Sequence, residues 1–158
     1  MRLKYHTASV YAPATVANVG CGFDVLGMAI DKPGDEVHIK FIAEETGVRV
    51  LEITGDQGKL PTDSNKNTAS VALNHLLQRI EWNQGGFHLR IHKKMPMGSG
   101  LGSSAASSVG ALAAFNALLE KPLSPSQLLL SAMEGERIAC GSAHPDNVAA
   151  GLFGGFVL

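Results

Sequence analysis

Pro96-Met97-Gly98-Ser99-Gly100-Leu101-Gly102-Ser103-Ser104-Ala105-Ala106-Ser107-Ser108 decides how the rest of the chain is read. Glycine at positions 98, 100 and 102 permits positive φ and removes the side chains that would hold a ligand off the backbone. Ser103 and Ser104 stand where a helix can begin and can cap it, and the small and apolar residues from Val109 to Leu119 suit a helix interior. A glycine-rich turn feeding a helix N-terminus aims several backbone N–H groups and the positive end of the helix dipole at one place. That is an anion site, most often a phosphate site. A flexible turn capped by serines is the other reading, and the glycines alone do not separate the two. Neither common template fits: Ser103-Ser104 follows the last glycine where a Walker A loop has Lys and Ser/Thr, and the glycine spacing is not that of a dinucleotide fingerprint. A phosphate loop here must draw its cationic help from a metal ion or from elsewhere in the chain.

With 158 residues the chain is long enough for one domain with a real core. Its 13 basic and 14 acidic residues are well mixed, so neither nucleic acid nor an anionic membrane is an expected partner. Cys21 and Cys140 have no metal-binding spacing and are too few for a disulfide scaffold; they read as reduced thiols. The six histidines form no HExxH-type pair, which speaks against zinc. Arg2, Lys4, His6 and Pro13 interrupt the N-terminus where a signal peptide would be apolar, and no run is long enough to span a bilayer. A soluble, cytoplasmic protein is expected.

The pattern from Lys4 to Ala12 predicts a strand ending at Pro13, followed by an irregular, partly buried loop from Ala14 to Ala29. Lys32-Pro33-Gly34-Asp35 reads as a turn. Val37, Ile39 and Phe41 alternate with polar residues as a strand, with Val48, Val50 and Ile53 as its expected partner. Asp63 or Asn67 caps a helix with the stripe Leu73, Leu76, Leu77 and Ile80, ended by Gly85-Gly86; Phe87, Leu89 and Ile91 form the strand leading into the opening loop. The loop's helix, with Val109, Leu112, Ala113, Phe115 and Leu119 as core packing, ends near Pro122. Ser124-Pro125 starts another helix, Gly141 to Asn147 is a second irregular polar segment, and Phe153 to Leu158 is a short strand. The chain stops on the apolar Phe156-Val157-Leu158 where a domain boundary is normally polar, so a fragment of a longer protein is expected.

Three polar segments need one explanation: the loop, Asn18 to Asp24, and Glu136 to Asn147. Phosphoryl transfer from a nucleotide needs backbone donors for phosphate oxygens, a hydroxyl and a carboxylate for Mg²⁺, and polar groups around the acceptor hydroxyl. Ser104 and Glu136 offer the first pair, and Asn18, Asp24, His144 and Asn147 the second set. Singly, each has a plainer reading. The asparagines can satisfy loop backbone, Glu134 and Glu136 can form a solvated helix face, and His144 can be structural. Only their joint placement with the loop favours chemistry.

Pro96 to Ala106 resembles the phosphate-loop signature of the GHMP kinases, the galactokinase, homoserine, mevalonate and phosphomevalonate kinase superfamily. Pro13-Ala-Thr-Val-Ala-Asn-Val-Gly-Cys-Gly-Phe-Asp-Val-Leu-Gly27 and Gly141-Ser-Ala-His-Pro-Asp-Asn-Val148 are similar to its homoserine kinase branch. The resemblance implies an α+β fold: a mixed sheet with helices on one face, like the second domain of ribosomal protein S5, with a left-handed βαβ unit. Residues 1–158 would be the N-terminal ATP-binding domain, without the C-terminal domain that supplies arginines for the substrate carboxylate.

By the same resemblance Pro96, Met97, Gly98, Ser99, Gly100, Leu101, Gly102, Ser103, Ser104, Ala105 and Ala106 hold the ATP phosphates. Asn67 and Lys93 line the nucleoside pocket. Ser104 and Glu136, eight residues before His144, bind Mg²⁺; Glu134 breaks that spacing. Asn18, Asp24, His144, Asp146 and Asn147 contact substrate, with Asp24 orienting it. Cys21 replaces the proline of many relatives, a tolerated change without a catalytic thiol. The implied reaction is ATP-dependent phosphorylation of L-homoserine to O-phospho-L-homoserine in threonine biosynthesis; the sequence does not fix the oligomeric state, and a homodimer is left open. A GHMP-type kinase for another small alcohol, or a non-catalytic nucleotide-binding or interaction domain, stands as the alternative.

Overall fold

The computed structural model describes residues 1–158 apart from Val19, Cys21, Phe23, Asp24, Met97, Ser142, Ala143 and His144, and apart from the side chain of Cys140. Two long strands begin the sheet: β1 (Thr7–Ala17) runs antiparallel to β2 (Gly27–Ile42), with Ser9 opposite His38 and Thr15 opposite Ala29. Both exceed what the pattern predicts. β1 passes through Pro13 because it is an edge strand and the register shifts between Pro13 and Ala14, both tolerant of a residue without an N–H. The expected loop from Ala14 to Ala29 thus holds the end of β1 and the start of β2. Its alternation is hidden because Ala14 and Thr15 are both buried. The expected turn at Lys32–Asp35 lies within β2, with the Lys32–Pro33 peptide cis.

β3 (Val48–Thr54) leads to α1 (Thr68–Arg79) and then to β4 (Gly86–His92). β4 pairs antiparallel with β2 and parallel with β3, giving the order β1-β2-β4-β3. Val48 and Val50 therefore partner β4, not β2 as expected: alternation marks a strand but not its neighbour, and the crossover through α1 inserts β4 between the two. Asn67 caps α1, its Oδ1 accepting from the N–H groups of Ala69 and Ser70 at 3.1 and 3.4 Å. Its Nδ2 donates to the Pro61 carbonyl at 2.9 Å. Asn67→Ala is expected to lower stability by about 1–2 kcal/mol, read from the urea midpoint; an unchanged midpoint would contradict the cap.

The remaining elements are α2 (Ser103–Leu118), α3 (Pro125–Cys140), α4 (Pro145–Phe153) and β5 (Phe156–Val157), which pairs with Gly27 and Met28 of β2. Ser124 and Gln127 close a capping box at α3, as the Ser-Pro signal predicts. α4 is a third helix beyond α2 and takes in Pro145 to Asn147, the end of the segment expected to be irregular, of which Ser142 to His144 lie outside the described residues; Pro145 opens it, where no N–H is needed, with Asp146 in its first turn. α1, α2 and α4 pack on one face of the sheet and α3 covers them. Ser9, His38, Lys40, Arg90 and His92 leave the other face exposed and polar. α2 is buried nearly all round, from Ala105 to Leu112, because it lies between the sheet and the other helices. Phe87, Leu89, Leu73, Leu76, Leu112 and Phe115 form the centre of the core, with the Phe87 and Phe115 rings edge to face at 5.3 Å. Among the described residues no helix is long and apolar enough to cross a membrane.

Candidate active site

β4 delivers the chain to the glycine-rich loop and α2 takes it away, so the loop sits at the end of the sheet over the start of the central helix. Gly98, Gly100 and Gly102 all have positive φ, +72°, +73° and +62°. Gly102 is the N-cap of α2 in the left-handed region and gives no side-chain hydrogen bond to the first-turn N–H groups. The serine cap is therefore not made: Ser103 Oγ donates to Asp35 Oδ2 at 3.0 Å and Ser104 Oγ to Glu136 Oε2 at 3.2 Å. The helix dipole and its leading N–H groups are left facing a cleft of about 420 Å³. All the residues from Gly98 to Ser104 line it, together with Asn67, Thr68, Lys93 and Ser107.

Glu136 comes to Ser104 because α3 approaches α2 and α1 unusually closely. A Cβ on Gly135 would stand 2.3 Å from Ser108 Oγ and 2.7 Å from the Thr68 carbonyl, so only glycine allows that approach. Glu136 is buried, at 6% exposure, with its carboxylate beside the loop. A hydroxyl and a carboxylate are the hard oxygen donors that suit Mg²⁺. Glu134 instead forms an exposed pair with Arg137, whose guanidinium holds the carboxyl below its ordinary range.

Below the cleft lies an ion pair between Lys93 and Asp35, both buried. Asp35 Oδ1 also accepts from the N–H groups of Lys94 and Met95, at 2.8 and 3.1 Å. Lys93 Nζ donates to the Ser103 carbonyl and to Ser107 Oγ, both at 2.7 Å. Burial pushes the Lys93 ammonium below its ordinary value, and the Asp35 charge offsets part of that shift. The pair bolts β2 and the end of β4 to the first turn of α2, and Asp35 is a site residue that the turn reading of Lys32–Asp35 concealed.

On the opposite side of the loop, Thr15 Oγ1 donates to Asn147 Oδ1 at 2.8 Å, and the Thr15 N–H donates to the Leu101 carbonyl at 3.0 Å. A Cβ on Gly102 would reach within 2.0 Å of Thr15 Oγ1 and 2.9 Å of Asn147 Oδ1. The structure thus brings together the loop, Ser104 with Glu136, Asn67 and Lys93 at the cleft, and Asn147 against Gly102. Asn67 and Lys93 reach the cleft wall with their polar atoms already engaged by protein partners. Ala105 and Ala106 are buried behind the cleft, and Pro96 is exposed before it. Asn18 follows β1 with a positive φ of 59° and is exposed. Met97, Asp24, Cys21 and His144 lie outside the described residues. Thr15 is the second residue missed; its signal is a polar side chain within the small apolar run Ala14 to Ala17.

A glycine loop opening a buried helix, with a hydroxyl–carboxylate pair beside it, is an arrangement suited to an anionic phosphate and a hard divalent cation. Residues 67–155 match the family model described as the GHMP kinases N terminal domain, and the chain belongs to that family. It is 46% identical over 156 residues to the homoserine kinase of Chloroherpeton thalassium, covering 94% of this chain and 49% of that protein. The crystal structure of homoserine kinase from Cytophaga hutchinsonii superposes with a TM-score of 0.90 at 51% identity, over 99% of this chain and 49% of that one. Mevalonate kinase of Methanococcus jannaschii shares the fold at a TM-score of 0.71 and 20% identity, over 97% of this chain and 53% of that one. The chain spans about half the length of the curated relatives it matches.

Proposed function

We propose that this chain is the nucleotide-binding part of a kinase that moves the γ-phosphoryl group of ATP to the hydroxyl of L-homoserine, a step toward threonine. The observation that carries the reading is the Ser104–Glu136 pair at 3.2 Å beside an uncapped helix start and three positive-φ glycines. The homoserine kinases matched at 46% and 51% identity support the acceptor. The acceptor oxygen forms its bond to phosphorus and gives up its proton to solvent as the bond from phosphorus to the bridging oxygen breaks and ADP leaves, so the protein's work is positioning and charge stabilisation.

In this reading the loop N–H groups hold phosphate oxygens and Ser104 and Glu136 hold Mg²⁺. Bound there, the metal would neutralise phosphate charge. Asn18 and Asn147 meet the transferred group or the acceptor hydroxyl. Asp24 orients the substrate's amino group, and His144 and Asp146, beside Asn147 in sequence, contact the substrate. The relatives being twice as long, a further segment of such a protein would complete the acceptor side and bind its carboxylate.

Calorimetry of the chain with ATP, with Mg²⁺ and with excess EDTA, tests the metal assignment. Glu136→Gln and Ser104→Ala are each expected to weaken binding of MgATP about tenfold or more and to leave the metal-free affinity nearly unchanged. Unchanged MgATP affinity in both variants would overturn the assignment.

A further inference from the structure

Asn147 is held by a residue that the proposed chemistry does not otherwise use. Thr15 is 1% exposed, sits on β1 rather than in any loop, and its hydroxyl donates to Asn147 Oδ1 at 2.8 Å. The other end of the amide, Nδ2, lies 3.5 Å from Asp146 Oδ1. A carboxylate only accepts, so the amide group is oriented with its NH₂ on that side; the flipped arrangement would set two acceptors against each other. With Oδ1 occupied by the hydroxyl, what Asn147 has left to offer is a donor. A donor is what an anionic oxygen requires; the amide's Oδ1 stands against Gly102, where the loop turns into α2, with the NH₂ on the Asp146 side.

We propose that Thr15 is a positioning residue that fixes the Asn147 amide in place, in the orientation the Asp146 carboxylate selects, and ties it to the phosphate loop. The tie has two strands. The hydroxyl holds Asn147 on α4, and the N–H of the same residue holds the Leu101 carbonyl at 3.0 Å. Gly102 packs directly on that hydroxyl, so loop and amide share one support in a rigid sheet. The chain's donor side and its acceptor side are in this way kept at a fixed separation, which in-line transfer requires. The functional part of this inference rests on the kinase reading; the lock itself rests on the geometry alone.

The test is an NMR titration of the ¹⁵N-labelled chain with MgATP and MgADP. The Asn147 side-chain NH₂ pair is assigned by its loss in Asn147→Asp, and the backbone amides of Gly98 and Gly100 report loop occupancy. In the nucleotide-free chain the pair is expected outside the range of exposed Asn65 and Asn83; to move into that range in Thr15→Val, which has the same shape without a hydroxyl; and to stay put in Thr15→Ser. On nucleotide addition the glycine amides should shift in all three proteins. The Asn147 pair should shift in the unaltered chain and Thr15→Ser, more with ATP than with ADP, and not in Thr15→Val. A general structural loss would silence the glycines too. An Asn147 response in Thr15→Val equal to that of the unaltered chain overturns the proposal. If the glycines are silent in the unaltered chain, the kinase reading fails, and the lock is judged on the nucleotide-free spectra. An Asn147 pair already in the exposed range there overturns it without any variant, so a Thr15→Val that does not fold does not protect it.

Discussion

Asp35→Ala is expected to destabilise the chain by about 3–5 kcal/mol, the usual cost of stripping one partner from a buried ion pair. That is a large part of the 5–15 kcal/mol or so that holds a typical domain folded. The loss strands the Lys93 ammonium in the core, and it also removes the acceptor of the Lys94 and Met95 N–H groups and of Ser103 Oγ. Urea unfolding measures it, and a loss under about 1 kcal/mol would refute the assigned role. The pH dependence follows from the direction of the Lys93 shift. Its folded value lies below the ordinary 10.5 because burial outweighs the attraction of Asp35. Between those two values the unfolded chain binds more protons than the folded one, so this group's contribution to stability rises with pH across that window. Removing Asp35 takes away the opposing charge and extends the window to lower pH. The variant should therefore regain part of its stability on alkaline titration more than the unaltered chain does.

Gly102→Val should be nearly as damaging, and unlike Gly100→Val. Both positions have φ in the left-handed region, which costs a non-glycine residue about 1–2 kcal/mol. At Gly100 nothing lies within 4 Å of an added Cβ, so valine there should fold and simply occupy the space over the cleft. At Gly102 the Cβ would stand 2.0 Å from Thr15 Oγ1, and the strand or the loop must move. Steric and conformational terms together come to about 2–5 kcal/mol. Thermal unfolding and ATP calorimetry separate the two variants. Gly100→Val should lose nucleotide affinity with a modest change in Tm, whereas Gly102→Val should lose both. Equal Tm values for the two would contradict the close packing at Gly102.

The glycine spacing in the sequence marks three residues as equivalent, and the fold makes them unequal. Spacing reports backbone freedom, and only the tertiary neighbours decide which glycine is free toward the cleft and which is wedged against β1. The same limit explains the rest. The helix of Leu73, Leu76 and Leu77 and the strand of Phe87, Leu89 and Ile91 are legible because each shows one period and one stop signal, whereas the pattern leaves the cap between Asp63 and Asn67 and only the structure selects Asn67. The end of β1 is not, because Ala14 and Thr15 are buried side by side and break the period of two. Ser104 and Glu136 could be joined by resemblance, but the closeness that makes them a pair depends on Gly135, which the sequence shows only as a helix former's poor substitute. Asp35 and Thr15 act through partners far along the chain, Lys93 and Asn147, and no local pattern encodes such a meeting.

Leu89 is the common neighbour of Ile39 on β2 and Val50 on β3. β4, made last of these three strands, is the one that lies between the other two. A chain leaving the ribosome therefore carries β2 and β3 as two open edges, with nothing to join them until residues 86–92 appear. Contacts so distant in sequence slow folding and leave apolar strands uncovered meanwhile. The closing strand runs straight into the glycine loop, so sheet closure and the assembly of the phosphate-binding end are one event in the life of the nascent chain.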